Sequence, residues 1–189
     1  SKGAIHYITE EEIEKSKTYL IDKVQSQKVV ALILGGPNKY YSFDNEEISK
    51  IFNQIKESFI YNGYKAIIVP SMRTPKKTIE LAKKEFENDG YVVTEVNKQA
   101  YLSSLAIASN IVITCDSTSM ISEAAISGKP IFVAHMKNKR NNYRFKKFFQ
   151  LFKDMGITKN LGEKVEHWEY NNLNESERVS KIINDRLNK

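Results

Sequence analysis

Short runs of apolar residues alternate along this chain with longer stretches whose apolar positions recur every three or four residues. Val29-Val30-Ala31-Leu32-Ile33-Leu34 carries no polar side chain and stops at Gly35-Gly36-Pro37, as a strand buried on both faces does. Ala66-Ile67-Ile68-Val69-Pro70, Tyr91 to Val96, Ile111 to Cys115 and Pro130 to Ala134 also read as strands, which makes five predicted strands. Ile48, Ile51, Phe52, Ile55 and Phe59 have helical spacing, closed by Gly63. Further helices are predicted from Thr74-Pro75 onward, from Tyr101 to Ser109, from Ser119 to Ser127 with Gly128 as its stop, and over 143–155 and 175–187. Residues 10–25 read as a lead-in helix, with Thr9 as N-cap and three glutamates in the first turn. Strand and helix alternate throughout, so the predicted class is α/β: a Rossmann-like parallel sheet with helices on both faces. No repeat, low-complexity tract or linker intervenes. Residues 1–189 are therefore expected to form one domain, with 1–27 as lead-in and 171–189 as a C-terminal helix.

Composition narrows the class. A chain of 189 residues, 41% hydrophobic and 28% charged, can bury a core and is not disordered throughout. The single cysteine, Cys115, excludes an internal disulfide and a thiolate zinc site, and favours a reducing, cytoplasmic setting. The three histidines have no companions at ligand spacing, so no metal site is expected. No apolar run approaches the roughly 18 residues of a membrane span. The opening at Ser1, without Met, suggests a piece of a longer protein.

Charge adds a partner. Lys and Arg number 29 against 23 acids, a net +6, which favours an anionic ligand or surface. The 137–147 stretch holds Lys137, Lys139, Arg140, Arg144, Lys146 and Lys147 and no acid. Its neighbours Phe145, Phe148, Phe149 and Phe152 have helical spacing and belong to the core, which argues against nucleic-acid stacking. The stretch is either a solvated face or a contact for an anionic acceptor or membrane surface, with the protein peripheral to that membrane.

In such sheets ligands bind beyond the carboxyl ends of the strands, and four of the five loops there carry small polar or basic residues. Gly35 and Gly36 let backbone N–H groups approach an anion, and Asn38 and Lys39 add donors; tight turns use the same pair. Ser71, Arg73 and Thr74 stand where a strand hands over to a helix, suited to phosphate or simply to capping. Asp116-Ser117-Thr118-Ser119 opens the next helix, and Glu123 lies one turn after Ser119 on the same face. Hydroxyls and free N–H groups there suit a diphosphate, and the carboxylate can accept from both ribose hydroxyls. The spacing also permits plain caps and a solvated Glu123. His135 follows the fifth strand, in reach of a ligand.

Gly35-Gly36-Pro37, Ser71-Met72-Arg73-Thr74-Pro75, Asp116 through Ala124 with Gly128-Lys129-Pro130, and Arg144-Phe145 with Leu151 and Gly156 together resemble the mitochondrial fission "elongated mitochondria" family. Bacterial members of that family are described as nucleotide-sugar epimerases or glycosyltransferases. The likeness runs from Gly3-Ala4-Ile5-His6 to Leu173-Asn174-Glu175. More distantly, Ser119 and Glu123 before Gly128-Lys129-Pro130 are similar to the donor-site signature of two-domain GT-B glycosyltransferases. By that resemblance Glu123 binds ribose, Ser117, Thr118 and Ser119 meet the diphosphate, and Gly36 and Arg73 line the same cleft. The family reads Ser-Arg-Arg-Thr-Pro where this chain has Met72, so one cation is missing. The resemblance implies a donor-binding C-terminal half, metal-independent and without a cofactor. Its substrate is a nucleotide sugar, its partner an N-terminal domain, and the half alone is expected to be inactive. Two other readings share the fold: a nucleotide-sugar 2-epimerase using Asp116, Glu123 or His135, and a non-catalytic membrane-associated adaptor.

Overall fold

The computed structural model describes residues 2–26 and 28–187. Six parallel strands form one sheet: β1 (Val29–Leu34), β2 (Lys65–Pro70), β3 (Gly90–Val92), β4 (Asn110–Thr114), β5 (Ile131–Ala134) and β6 (Thr158–Asn160). Their order is β3-β2-β1-β4-β5-β6, the doubly wound Rossmann arrangement, whose direction of winding reverses between β1 and β4. Every residue of β1 and β4 is buried, because helices cover the middle of the sheet on both faces. At the margins β3 and β6 are short and partly exposed, as edge strands are.

Helices connect the strands. α3 (Asn45–Ser58) follows β1, begins at an Asp44 cap that accepts from the Glu47 N–H, and buries Ile48, Ile51, Phe52 and Ile55. α4 (Lys76–Glu85) packs beside it. α5 (Lys98–Ile107) makes the crossover from β3 to β4 and carries the lead-in helices α1 (Glu10–Lys15) and α2 (Thr18–Ile21). α6 (Thr118–Ala124) follows β4, continues as a single 3-10 turn at Ala125–Ser127 and ends at Gly128 with φ 68°. α7 (Tyr143–Asp154) leads into β6, and α8 (Glu175–Leu187) closes the chain.

Three expectations change. The lead-in helix over 10–25 is two short helices: Ser16 Oγ bonds back to the Glu12 carbonyl at 2.8 Å, and the Leu20 N–H is taken by Ser103 Oγ at 3.0 Å. Thr9 does cap α1, with Glu12 completing a capping box. The third strand is Gly90–Val92 rather than 91–96. A sixth strand, Thr158–Asn160, pairs with β5; three mostly polar residues gave it no apolar signature. Ser1, Gln27, Asn188 and Lys189, which the expected lead-in and C-terminal helix include, lie outside the described residues.

The closing segments seat on the domain through identifiable contacts. The Trp168 ring meets Phe132 edge-on at 5.2 Å, and Tyr170 donates to the Lys129 carbonyl at 2.8 Å. Residues near the start thread between α6 and α8: the Ala4 N–H donates to Ser122 Oγ at 3.0 Å and the Lys2 N–H to Glu175 at 2.7 Å. No helix of the described residues is long and apolar enough to cross a membrane.

Candidate functional site

The reversal between β1 and β4 opens a crevice at their carboxyl ends, and the loops after β1, β2 and β4 meet there. Asp116, just beyond β4, has a fully buried side chain. One carboxylate oxygen accepts from the Gly36 N–H at 2.9 Å and from Arg73 Nη2 at 2.9 Å, and the other from the Thr114 hydroxyl at 2.7 Å. Arg73 also reaches the Gly36 carbonyl with Nη1 at 3.3 Å. The Gly35 N–H donates to Thr114 Oγ1 at 2.8 Å. Thr74 turns its hydroxyl to the carbonyls of Leu34 and Gly35, at 2.9 and 2.6 Å, and accepts from the Ser71 N–H. Three loops are thus laced together around one buried carboxylate.

This lacing assigns the glycine pair a structural use. A Cβ on Gly35 would lie 2.1 Å from an Asp116 oxygen, and one on Gly36 would lie 2.0 Å from the Arg73 carbonyl. Close approach of the chain to itself therefore requires both glycines. Their N–H groups are spent on Thr114 and Asp116. Asn38 is spent as well: its amide donates to the Asp116 carbonyl at 3.1 Å and its oxygen accepts from the Tyr40 and Tyr41 N–H groups. Burial raises the Asp116 pKa, while the Gly36 N–H, the Thr114 hydroxyl and the Arg73 guanidinium pull it back down. Neighbouring Cys115 is buried and its thiol is pushed up to about 11, chiefly by desolvation.

α6 starts at the mouth of this knot. Ser117 caps it, accepting from the Met120 N–H at 3.4 Å, while Ser119 is exposed and Thr118 half-buried. One turn later the half-buried Glu123 accepts from the Tyr101 hydroxyl of α5 at 2.9 Å. Burial and the Glu123 charge hold the Tyr101 pKa well above its ordinary value, so the phenol remains a donor. Tyr101 thereby orients the carboxylate, a role legible only once α5 and α6 are side by side.

Beside Thr118 lies a cleft of about 400 Å³, lined also by Lys39, Tyr40, Asn142, Arg144, Phe145 and Phe148. Its walls are the loop after β1 and the start of α7. A single bridge between Tyr41 and Asn138, and a 2.7 Å bond from the Lys139 N–H to the Tyr40 carbonyl, hold the two loops together. Phe152 is buried as expected, whereas Phe145, Phe148 and Phe149 are half-buried and form the apolar side of α7 near this cleft. A larger hollow of about 530 Å³ lies beside the amino ends of β1 and β2, between Lys28, Tyr64 and Glu163. That is the wrong end of the sheet for the ligands of this fold.

The sequence-predicted residues therefore fall into three groups. Gly35, Gly36, Asn38, Ser71, Arg73, Thr74 and Asp116 come together in the knot. Ser117, Thr118, Ser119 and Glu123 share α6 and its cap. His135 stands apart: its Nε2 lies 3.0 Å from Asn160 Oδ1, its ring meets Phe149 edge-on at 5.0 Å, and it borders a separate hollow with Lys146 and Lys153. Desolvation lowers its pKa. Among the described residues no group of three or more His, Cys, Asp or Glu is placed to hold a metal ion.

The profile of a family described as Mitochondrial fission ELM1 matches residues 1–187. An uncharacterized protein of Rickettsia prowazekii (strain Madrid E), RP120, is 31% identical over 169 residues, covering 83% of this chain and 46% of that protein. The mitochondrial fission protein ELM1 of Arabidopsis thaliana is 22% identical over 192 residues, covering 98% of this chain and 44% of its own. The chain thus spans about half the length of the curated relatives it matches. Among solved structures, the UDP-GlcNAc 2-epimerase of Methanocaldococcus jannaschii, a GT-B-type protein, superposes with a TM-score of 0.52 at 20% identity, over 90% of this chain and 49% of that one. At that identity the likeness is one of fold.

Proposed function

The chain belongs to the mitochondrial fission ELM1 family, and from that premise we propose that it is the nucleotide-sugar-binding domain of a GT-B-type glycosyltransferase. One observation carries the reading. The β3-β2-β1-β4-β5-β6 sheet puts the start of α6 at the winding reversal, with Glu123 one turn further on and oriented by Tyr101. In a doubly wound sheet that crevice is where nucleotides sit. Glu123 would accept from the ribose hydroxyls, and the hydroxyls of Thr118 and Ser119 would face the diphosphate. The UDP-sugar named for the Methanocaldococcus epimerase supports a uridine nucleotide as the first to try.

The knot alters the part Arg73 plays. Its guanidinium is paired with Asp116, so it acts as a positioning residue that fixes the glycine loop against α6 rather than as a phosphate clamp. The N–H groups at the start of α6, held in place by that lacing, would stabilise charge on a leaving diphosphate without reorganising during reaction. Within this chain Asp116 is spent on three donors and His135 is held at Asn160, which leaves Glu123 as the carboxylate for the ribose. Transfer itself would need a protein of the relatives' length, about half of which this chain spans.

Calorimetry with UDP, ADP, GDP and CDP tests the reading. One diphosphate should bind in preference, and Glu123→Ala should weaken it about tenfold, the loss expected for charge-assisted hydrogen bonds to ribose. Binding indifferent to Glu123→Ala would remove the ribose assignment.

A further inference from the structure

The cleft beside Thr118 carries charge of one sign. Lys39 stands on one wall and Arg144 on the other, Asn142 adds an amide, and among the described residues no carboxylate lines it. Among the described residues neither cation has an acidic partner; Lys39 rests over the Tyr40 ring with Nζ 4.9 Å from its centroid. The apolar side of the cleft is aromatic, with Tyr40 and Phe145 in contact at 5.5 Å.

The surroundings extend the same field. Lys137, Lys139, Arg140, Lys146 and Lys147 are all exposed and, with Arg144, belong to one stretch. Removing those six from the 29 basic residues leaves 23, equal to the 23 acids. Of those six, Lys137 and Lys139 line a neighbouring hollow with Asp44, Glu46 and Glu47, and Lys146 borders the hollow of His135, which leaves Arg140 and Lys147 as the exposed cations flanking Arg144 in the sequence.

We infer that this cleft receives the phosphate of the second substrate, an organic phosphate whose apolar body lies against Tyr40, Phe145 and Phe148. The inference rests on the reading of the domain as the donor half of a transferase. A guanidinium offers a two-pronged bond to phosphate oxygens and an ammonium a movable point charge. Aromatic rings beside them favour a ligand with hydrocarbon next to its phosphate. A cleft without acids rejects cationic acceptors. A lipid headgroup and a small soluble phosphate share this chemistry.

Calorimetry on the chain, with and without UDP, separates the sources and tests the site. The probes are glycerol 3-phosphate, octyl phosphate, and phosphatidylcholine vesicles with or without phosphatidic acid. Octyl phosphate should bind more tightly than glycerol 3-phosphate, equally well with UDP present, and more weakly as salt rises. Arg144→Ala and Lys39→Ala should each weaken it about tenfold, and Arg144→Ala should leave UDP affinity and Tm unchanged. Vesicle binding that needs both phosphatidic acid and Arg144 supports a lipid source; octyl phosphate binding without vesicle binding supports a soluble one. Displacement of octyl phosphate by UDP, or loss of UDP affinity in Arg144→Ala, would assign the cleft to the donor and overturn the inference. So would absent octyl phosphate binding, or binding indifferent to both substitutions. Octyl phosphate binding through Arg144 in a chain that ignores every nucleotide would overturn the donor reading and, with it, the acceptor role.

Discussion

Arg73→Ala separates a positioning arginine from a free phosphate clamp. Asp116 is fully buried at its side chain, whereas Arg73 is 43% exposed. Removing one partner of a buried pair costs about 3–5 kcal/mol; solvent screening at the exposed guanidinium reduces that to roughly 1–3 kcal/mol. For a chain of this length each kcal/mol shifts Tm by about 2–4 °C, so a fall of roughly 2–12 °C is expected. The sign of the pH dependence follows from Asp116. Burial already raises its folded pKa, and loss of a cation that lowers it raises it further. A carboxyl whose folded pKa exceeds its unfolded value near 3.9 favours folding below that value, and the contribution disappears as pH climbs through the folded pKa. The deficit of the variant should therefore be larger at pH 8 than at pH 5. Urea unfolding of both proteins at the two pH values measures it. A cost under about 0.5 kcal/mol at both, or an equal cost at both, would refute the knot.

Other outcomes follow from the same geometry. Gly36→Ala must displace the Arg73 carbonyl, 2.0 Å from the new Cβ, and should cost about 2 kcal/mol or more in urea unfolding. Tyr101→Phe removes the hydroxyl that orients Glu123; stability should fall by about 1 kcal/mol, and UDP affinity by severalfold in calorimetry. The Cys115 thiol, buried and pushed up to about 11, should resist a thiol reagent at pH 8 in the folded protein and react at once in denaturant.

Much of the fold is legible in the sequence because a doubly wound sheet buries its central strands on both faces. Val29 to Leu34 and Ile111 to Ile113 announce themselves as unbroken apolar runs, and their order along the chain implies the crossovers. The edges do not: Thr158–Asn160 is held by pairing with β5 rather than by its own composition. At the site, sequence reasoning collected Gly36, Arg73 and Asp116 as ligand-facing groups. The structure brings those same residues together and turns them toward each other. Spacing cannot reveal that, since the Arg73–Asp116 pair spans 43 positions and forms only when β2 and β4 flank β1. Tyr101 was invisible for a similar reason, its partner lying 22 residues on, across two helices. Lys39 and Arg144 are conspicuous by charge, but only the Tyr41–Asn138 bridge shows that they share a cleft.

Backbone amide shifts during titration of the chain with UDP test the central claim most directly. If this domain holds the donor, the perturbed amides will cluster at the start of α6, from Ser117 to Glu123, and along the adjoining loop after β1. Shifts gathered instead around Lys28, Tyr64 and Glu163, at the amino end of the sheet, or no shifts with any nucleotide, would contradict it.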